Sequence, residues 1–339
     1  MQLFGITGDE WKEMRSAFTP NFTSGKMKGM LKFIKHVAGD LTKEIDSKAK
    51  KGEEFELKEV FGKFSMDGIS STAFGVNSES FTNENSKFVK YASAMFKNTN
   101  LELLLAAVKF IPGVPQVFNL LKVNNFKPKE TRFFRDIILQ TIRARRNTKE
   151  RKNDLVDLML DCIKDDTNVN NGGDETTDQY EKDMQLSYSK KSKHSLDELS
   201  VVATALVLFV AGYDTTGMTL SFLAYEMSKN PEVQKKLQEE IDQAFDESGG
   251  ELPDYSLIQS LPYLDMVIHE TLRVHSPVGV NTRVATKDYN LPGTDIVLKE
   301  NEMLSWNART LHRNPEHWTN PDEFYPEHFS KEAKANRSP

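Results

Sequence analysis

The sequence contains a single cysteine, Cys162, among 339 residues. One thiol excludes a disulfide framework and any zinc or iron–sulfur centre built on several cysteines. It fits a reducing compartment or a cytosol-facing surface. Long hydrophobic runs are equally scarce. The most apolar stretch, Val201 to Gly212, is twelve residues long, short of the ~20 needed to span a bilayer, so no transmembrane segment is expected. The opening MQLFGITGDEW has neither a basic region nor a long apolar core, so no signal peptide is expected in the sequence as given. Positive charge is not in excess: Lys and Arg number 44 against 50 Asp and Glu, a net −6, which gives no general attraction to nucleic acid. The short basic cluster Lys190, Lys191, Lys193 lies in a polar loop and reads as solvated. Glycine-rich phosphate loops and internal repeats are also lacking, which removes nucleotide-binding and solenoid folds.

What is present is mostly helical periodicity. GDEWKEMRSAF reads as a helix interrupted at Thr19-Pro20-Asn21. From Lys26, Met27, Met30, Leu31, Ile34, Val37, Ala38, Leu41 and Ile45 follow a 3.6 period that Gly52 ends. Helices are expected over 55–74, over 86–110 (closed by the prolines of IPGVP), over 129–147 and over 154–164, the last holding Cys162. The polar stretch from Asp165 to Ser195 reads as a mobile surface loop, and Ser195 to Glu198 as a helix cap. Asn230-Pro231 stops one helix and starts the next. Residues 282–305 alternate around a turn at Leu291-Pro292-Gly293, predicting a small antiparallel sheet. The expected fold class is mainly α with a small antiparallel β region.

Three constellations could carry chemistry. In Ala211-Gly212-Tyr213-Asp214-Thr215-Thr216 an acid and two hydroxyls follow directly on an apolar run. A carboxylate there is costly unless paired or used. Thr215 can bond the Ala211 carbonyl and loosen the helix, while Gly212 lets something bulky approach. The groove suits proton delivery in a dry site. Taken alone, the stretch favours the structural reading, in which the threonines back-bond and Asp214 pairs with a base. The second, His269-Glu270-Thr271-Leu272-Arg273, fails as a zinc motif because Arg273 stands where a second histidine is needed. Glu270 and Arg273 remain at i, i+3, most often a solvated surface pair. In the third, Trp11 and Arg15 at i, i+4 could together hold an anion, or merely pack against each other. His312, His317 and His328 are spread along a proline-rich loop and read as surface residues rather than a metal site.

The order of these segments resembles the cytochrome P-450 family of haem-thiolate monooxygenases, in particular the animal microsomal branch that oxidises drugs, xenobiotics and lipids. The likeness rests on GDEWKEMRSAFTPNFTSGKMKGM, FVAGYDTTGMTLSFLAYEMSKNPEVQKKLQEEID, YLDMVIHETLRVHSPV and NARTLHRNPEHWTNPDEFYPEHF, in family order along the whole chain. It implies that Trp11 and Arg15 hold a haem propionate and that Arg283 is another propionate partner. It further implies that Asp214 and Thr215 manage water and protons where dioxygen is activated. Ala211 and Gly212 would let oxygen and substrate lie against the helix, and Glu270 and Arg273 would form a buried network with the segment that follows.

Further expectations come with the resemblance: haem b, electrons from NADPH through a flavoprotein reductase, dioxygen and an apolar substrate of the xenobiotic, steroid or fatty-acid class. The full-length protein would sit on the cytosolic face of the endoplasmic reticulum membrane, attached only through an N-terminal anchor not included here. The chain reads as one incomplete P-450 domain over 1–339, a truncated and inactive piece. The alternative is a non-catalytic or decayed member of the fold acting as a binding protein. Two departures stand out. His328 replaces the arginine of the family's Pro-Glu-Arg-Phe, so the network should be weaker or water-bridged. The family's Phe-x-x-Gly loop with its iron-ligating cysteine is not among these residues, and Cys162, in a helical setting, does not substitute for it.

Overall fold

The computed structural model describes residues 6, 8–83, 86–96, 127–148, 154, 156, 157, 160 and 198–337. The expected loop at 165–195, the cap at Ser195, the IPGVP stop and Cys162 lie outside these residues. The helices are α1 (Gly8–Phe18), α2 (Ser24–Lys51), α3 (Leu57–Ile69), α4 (Lys87–Phe96), α5 (Pro128–Thr148) and α6 (Glu198–Lys229). They continue with α7 (Pro231–Glu247), α8 (Tyr255–Gln259), α9 (Pro262–Val274), α10 (Ala308–His312) and α11 (Lys331–Asn336). Two compact units emerge, Met1–Ile6, Glu13–Glu44 and Lys63–Asp214 against Thr7–Lys12, Ile45–Gly62 and Thr215–Pro339.

In the first unit the apolar stripes of α2 to α6 bury a common core. The TPNF break becomes a short 3-10 turn, Thr19–Phe22, because Pro20 has no N–H for the ladder. Met30 and Val37 are the α2 residues driven fully inside. Phe88, Phe134 and Phe209 form the centre, with ring centroids 5.0, 5.5 and 4.6 Å apart, a spacing that adds to plain area burial. Helix α3 widens into a π turn at Ser70–Phe74, where the Ser70 and Thr72 hydroxyls donate back to the carbonyls of Met66 and Gly68. Arg145 of α5 is buried against Asp157 (3.0 Å) and Asp154 (2.6 Å). Burial pushes the Asp154 carboxyl above the usual carboxylate range.

The second unit packs α7 and α9 around Met227, Leu237, Tyr263 and Val267. Glu240 of α7 caps the start of α9, its two oxygens accepting the N–H groups of Tyr263 and Leu264 at 2.8 Å each. Burial, with Glu327 and Glu240 nearby, pushes the Tyr263 phenol up to about 12. The alternating region forms two two-stranded antiparallel sheets rather than one. Strand β1 (Val280–Val284) pairs with β4 (Met303–Asn307), and β2 (Tyr289–Asn290) pairs with β3 (Val297–Leu298). The Leu291-Pro292-Gly293 turn closes the inner pair, with Gly293 at φ 75°.

Ser200–Lys229 is long and apolar enough to cross a membrane by length and composition, although no spanning segment was expected. Apolar residues resume beyond the polar break, which the twelve-residue count left out. Val201, Val202, Ala205, Leu206 and Phe209 of this helix lie in the first unit's core, as in the central helix of a globular domain.

Gly212 marks a tight crossing within that unit. A methyl placed on it would meet Ile69 Cδ1 at 2.8 Å and Cγ1 at 3.1 Å. Gly212→Ala should therefore cost about 1 kcal/mol net of its gain in helix propensity. In an Ile69→Ala background, where the obstruction is gone, the same change should become stabilising. Urea unfolding of the two single variants and the double variant checks this, and additive values would remove the contact from the account.

Candidate functional site

On α9 the i, i+3 spacing brings Glu270 and Arg273 together, but depth decides what they do. Glu270 is 0% and Arg273 2% exposed, so the pair is a buried clamp and not a surface pair. Arg273 Nε donates to Glu270 Oε2 at 2.8 Å and Nη2 to Oε1 at 2.7 Å. Its remaining N–H groups reach three carbonyls: Nη1 donates to His312 and Pro321 at 2.7 Å each, and Nη2 to Glu323 at 2.9 Å. All five donors of the guanidinium are thereby used. Trp318 covers it, with the ring centroid 5.0 Å from Cζ.

Glu270 Oε1 also accepts the Tyr325 N–H at 2.8 Å and lies 3.1 Å from His328 Nδ1. The histidine is bonded directly, with no need of a bridging water. Short Asn307-capped α10 and the 3-10 turn Pro326–Phe329 fix the carbonyls and the imidazole in place. His312, at the end of α10, points Nδ1–H at the Arg273 carbonyl (3.1 Å). Burial holds it below the ordinary histidine range, and the Arg273 charge adds to that against the raising effect of the hydrogen bond. Sequence reasoning missed the carbonyls of His312, Thr319, Pro321 and Glu323. The Asn-Pro and Pro-Asp pairs in that stretch signalled turns but not their direction.

Along α6, Ala211, Gly212, Tyr213, Asp214 and Thr215 are all half-buried, and Thr216 is exposed. Burial pushes the Tyr213 phenol up, Ser93 lowers it by hydrogen bonding, and the Asp214 charge raises it further. Beyond the break the Thr219 hydroxyl donates to the Thr215 carbonyl at 2.8 Å and Ser221 to Gly217 at 2.7 Å. Hydroxyls thus compete for carbonyls one turn back, a pattern that loosens a helix. The face that Gly212 leaves open is taken up by Ile69, a neighbour nothing in the sequence pointed to.

Trp11 and Arg15 lie one turn apart on α1, Trp11 being 37% exposed and Arg15 half-buried. Among the described residues no carboxylate pairs with Arg15. Arg283, on β1, donates to the Thr282 carbonyl at 2.8 Å and sits 5.3 Å from the Trp306 ring centroid. It also lacks a carboxylate partner among the described residues. Each of these guanidiniums, with no acid beside it among the described residues, has the geometry to take a carboxylate.

A mainly helical body whose longest helix carries a polar break, with a glutamate–arginine clamp buried further along, defines a class. A family model described as Cytochrome P450 matches residues 2–339, and the chain belongs to the cytochrome P450 family. Among its relatives are cytochrome P450 3A6 of Oryctolagus cuniculus, 36% identical over 333 residues, and cytochrome P450 3A11 of Mus musculus, 35% identical over 332. Each alignment covers 98% of this chain and 61% of the relative. The chain therefore spans about three fifths of the length of the curated relatives it matches.

Truncating one partner of the clamp should be severe. Arg273→Ala leaves Glu270 buried and uncompensated, an expected loss of about 3–5 kcal/mol. Arg273→Lys keeps the charge but brings three donors in place of five, so it should recover less than half of that. Urea unfolding of the second unit's core, followed through Trp318 fluorescence, measures both.

Proposed function

We propose that the chain works as part of a haem-thiolate monooxygenase that places one atom of dioxygen into an apolar organic substrate and reduces the other to water. The observation that carries this reading is the polar break Asp214-Thr215 in an apolar helix whose first half is buried, in a chain whose family is established. The haem, when bound, supplies the oxidising chemistry. The chain's own residues supply binding, orientation and protons.

By the family resemblance, Arg15 and the Trp11 indole N–H, one turn apart on α1, would take a carboxylate of the cofactor, and Arg283 another. Arginine suits this work because its fork matches a carboxylate in two bonds. The apolar residues of α6 would keep bulk water out, which strengthens every remaining polar interaction. In that setting the Thr215 hydroxyl would hold a proton for the bound oxygen, and the Asp214 carboxylate would replenish it from solvent. Ala211 would keep that wall low, whereas the face at Gly212 is taken up by Ile69. The cysteine thiolate with which the family would hold the iron is not among the residues described here.

The substrate class that the family implies is an apolar molecule of xenobiotic, steroid or fatty-acid type. Electrons would come from NADPH through a flavoprotein reductase. The full protein would work at the cytosolic face of the endoplasmic reticulum membrane, held by a segment outside these residues.

A carbon monoxide difference spectrum of the full gene product tests the reading, and a thiolate-type Soret band is expected. A protein that binds no haem removes it. In the active protein, Thr215→Ala should lower product formed per NADPH consumed by at least about tenfold while NADPH consumption continues, because the proton is no longer delivered where it is needed. An unchanged ratio would take the threonine out of the mechanism.

A further inference from the structure

His328 is 7% exposed, and both of its ring nitrogens point at oxygens that only accept. Nδ1 lies 3.1 Å from Glu270 Oε1 and Nε2 lies 2.6 Å from the Thr319 carbonyl. A neutral imidazole carries one N–H and one lone pair, so it satisfies one of these acceptors and opposes the other. Rotating the ring by half a turn brings carbons to both oxygens and loses both bonds. The doubly protonated imidazolium is the one form that donates to both.

We propose that His328 is a positioning residue held as the imidazolium, so that a proton serves as a removable pin between α9 and the 3-10 turn Pro326–Phe329. The pin is a histidine where an arginine would be permanent. With the proton in place, the turn is tied to Glu270 on one side and to the Thr319 carbonyl on the other. Once the proton leaves, a lone pair faces an oxygen across a buried contact, and the strap from Thr319 to His328 loosens from α9. The carbonyls of Pro321 and Glu323, which anchor Arg273, belong to the same strap.

The surrounding charges act in both directions. Glu270 favours the proton, while Arg273 on α9 and Arg337 at the end of α11 oppose it. Arg273, however, has its donors committed to Glu270 and three carbonyls. Arg337 donates to the His328 carbonyl at 3.3 Å and lies 4.1 Å from the Trp318 ring centroid, on the aromatic side of the turn. The Tyr325 and Trp318 rings meet the imidazole nearly edge to face, at 5.2 and 5.6 Å. His312 lies on the far side of Arg273 and bonds its carbonyl. On the outer side Glu327 is paired with Lys236 at 2.7 Å, His269 lies against Phe329 at 5.3 Å, and Lys334 bonds Asp265 at 3.4 Å. None of these outer groups contacts the ring nitrogens.

A native state that binds one proton more than the unfolded chain loses stability as pH rises. The test uses the whole chain with nitrogen-15 in its histidines. The His328 signals, identified by their loss in His328→Arg and again in His328→Gln, should show both nitrogens protonated at about pH 7. As pH is raised through the range where an imidazolium is lost, the wild-type unfolding constant should climb relative to His328→Arg, approaching tenfold per pH unit. His328→Arg itself should show no such component. A neutral His328 ring at neutral pH overturns the proposal, as do parallel stability curves for the wild type and His328→Arg. Should either variant fail to fold, the nitrogen-15 spectrum of the wild type, assigned with the other, decides alone.

Discussion

A buried guanidinium sets the terms for the second unit. Arg273 has five N–H groups, and water reaches none of them, so every one needs an oxygen supplied by the protein. Two come from Glu270 on the same helix; three are main-chain carbonyls from residues 312–323, a stretch with little secondary structure of its own. An irregular strap of this kind gains little from ladders or apolar burial. Its path is held by the requirement that three carbonyls converge on one fork. A buried ion pair seldom adds net stability over apolar residues of the same size. What this pair supplies is uniqueness, since few other paths satisfy both the guanidinium and the carboxylate.

Helix α6 works by a different rule. Its first half is held by apolar burial in the first unit, centred on Phe209. Past Gly212 a short polar break, Asp214 to Thr216, interrupts it, and hydroxyls at 219 and 221 bond carbonyls one turn back. Ile69 sits at the changeover, at the last residue before the π turn of α3. A glycine is needed there because a neighbouring side chain already occupies the space a methyl would take.

Helix positions were legible in the sequence because periodicity, glycine and proline act locally. The α2 stripe ending at Gly52, the Asn230-Pro231 junction and the Leu291-Pro292-Gly293 turn depend on no distant residue. The segments that define the family were legible by resemblance over the whole chain. Depth was not. Glu270 and Arg273 have the same i, i+3 spacing whether solvated or buried, and spacing alone favours the solvated case. Only the strap's carbonyls distinguish the two, and carbonyls have no sequence signature. The Gly212–Ile69 contact joins residues more than a hundred positions apart, and the two separate hairpins in place of one sheet turn on pairing register. Each is a tertiary fact that local pattern does not encode.

Two histidines near the same guanidinium show how partners, more than residue type, determine what a side chain does. His312 has one acceptor, the Arg273 carbonyl, and burial pushes its pKa down, so a single N–H is enough. His328 has two acceptors and no donor facing it, so a single N–H is not enough. From sequence the two look alike, both being histidines in a proline-rich loop. The difference lies in Glu270, whose Oε1 has to take up a third donor after Arg273 and the Tyr325 N–H. An arginine at 328 could fill that place at any pH. A histidine fills it only while it carries its second proton, which makes the strap's attachment to α9 conditional where the rest of the clamp is fixed.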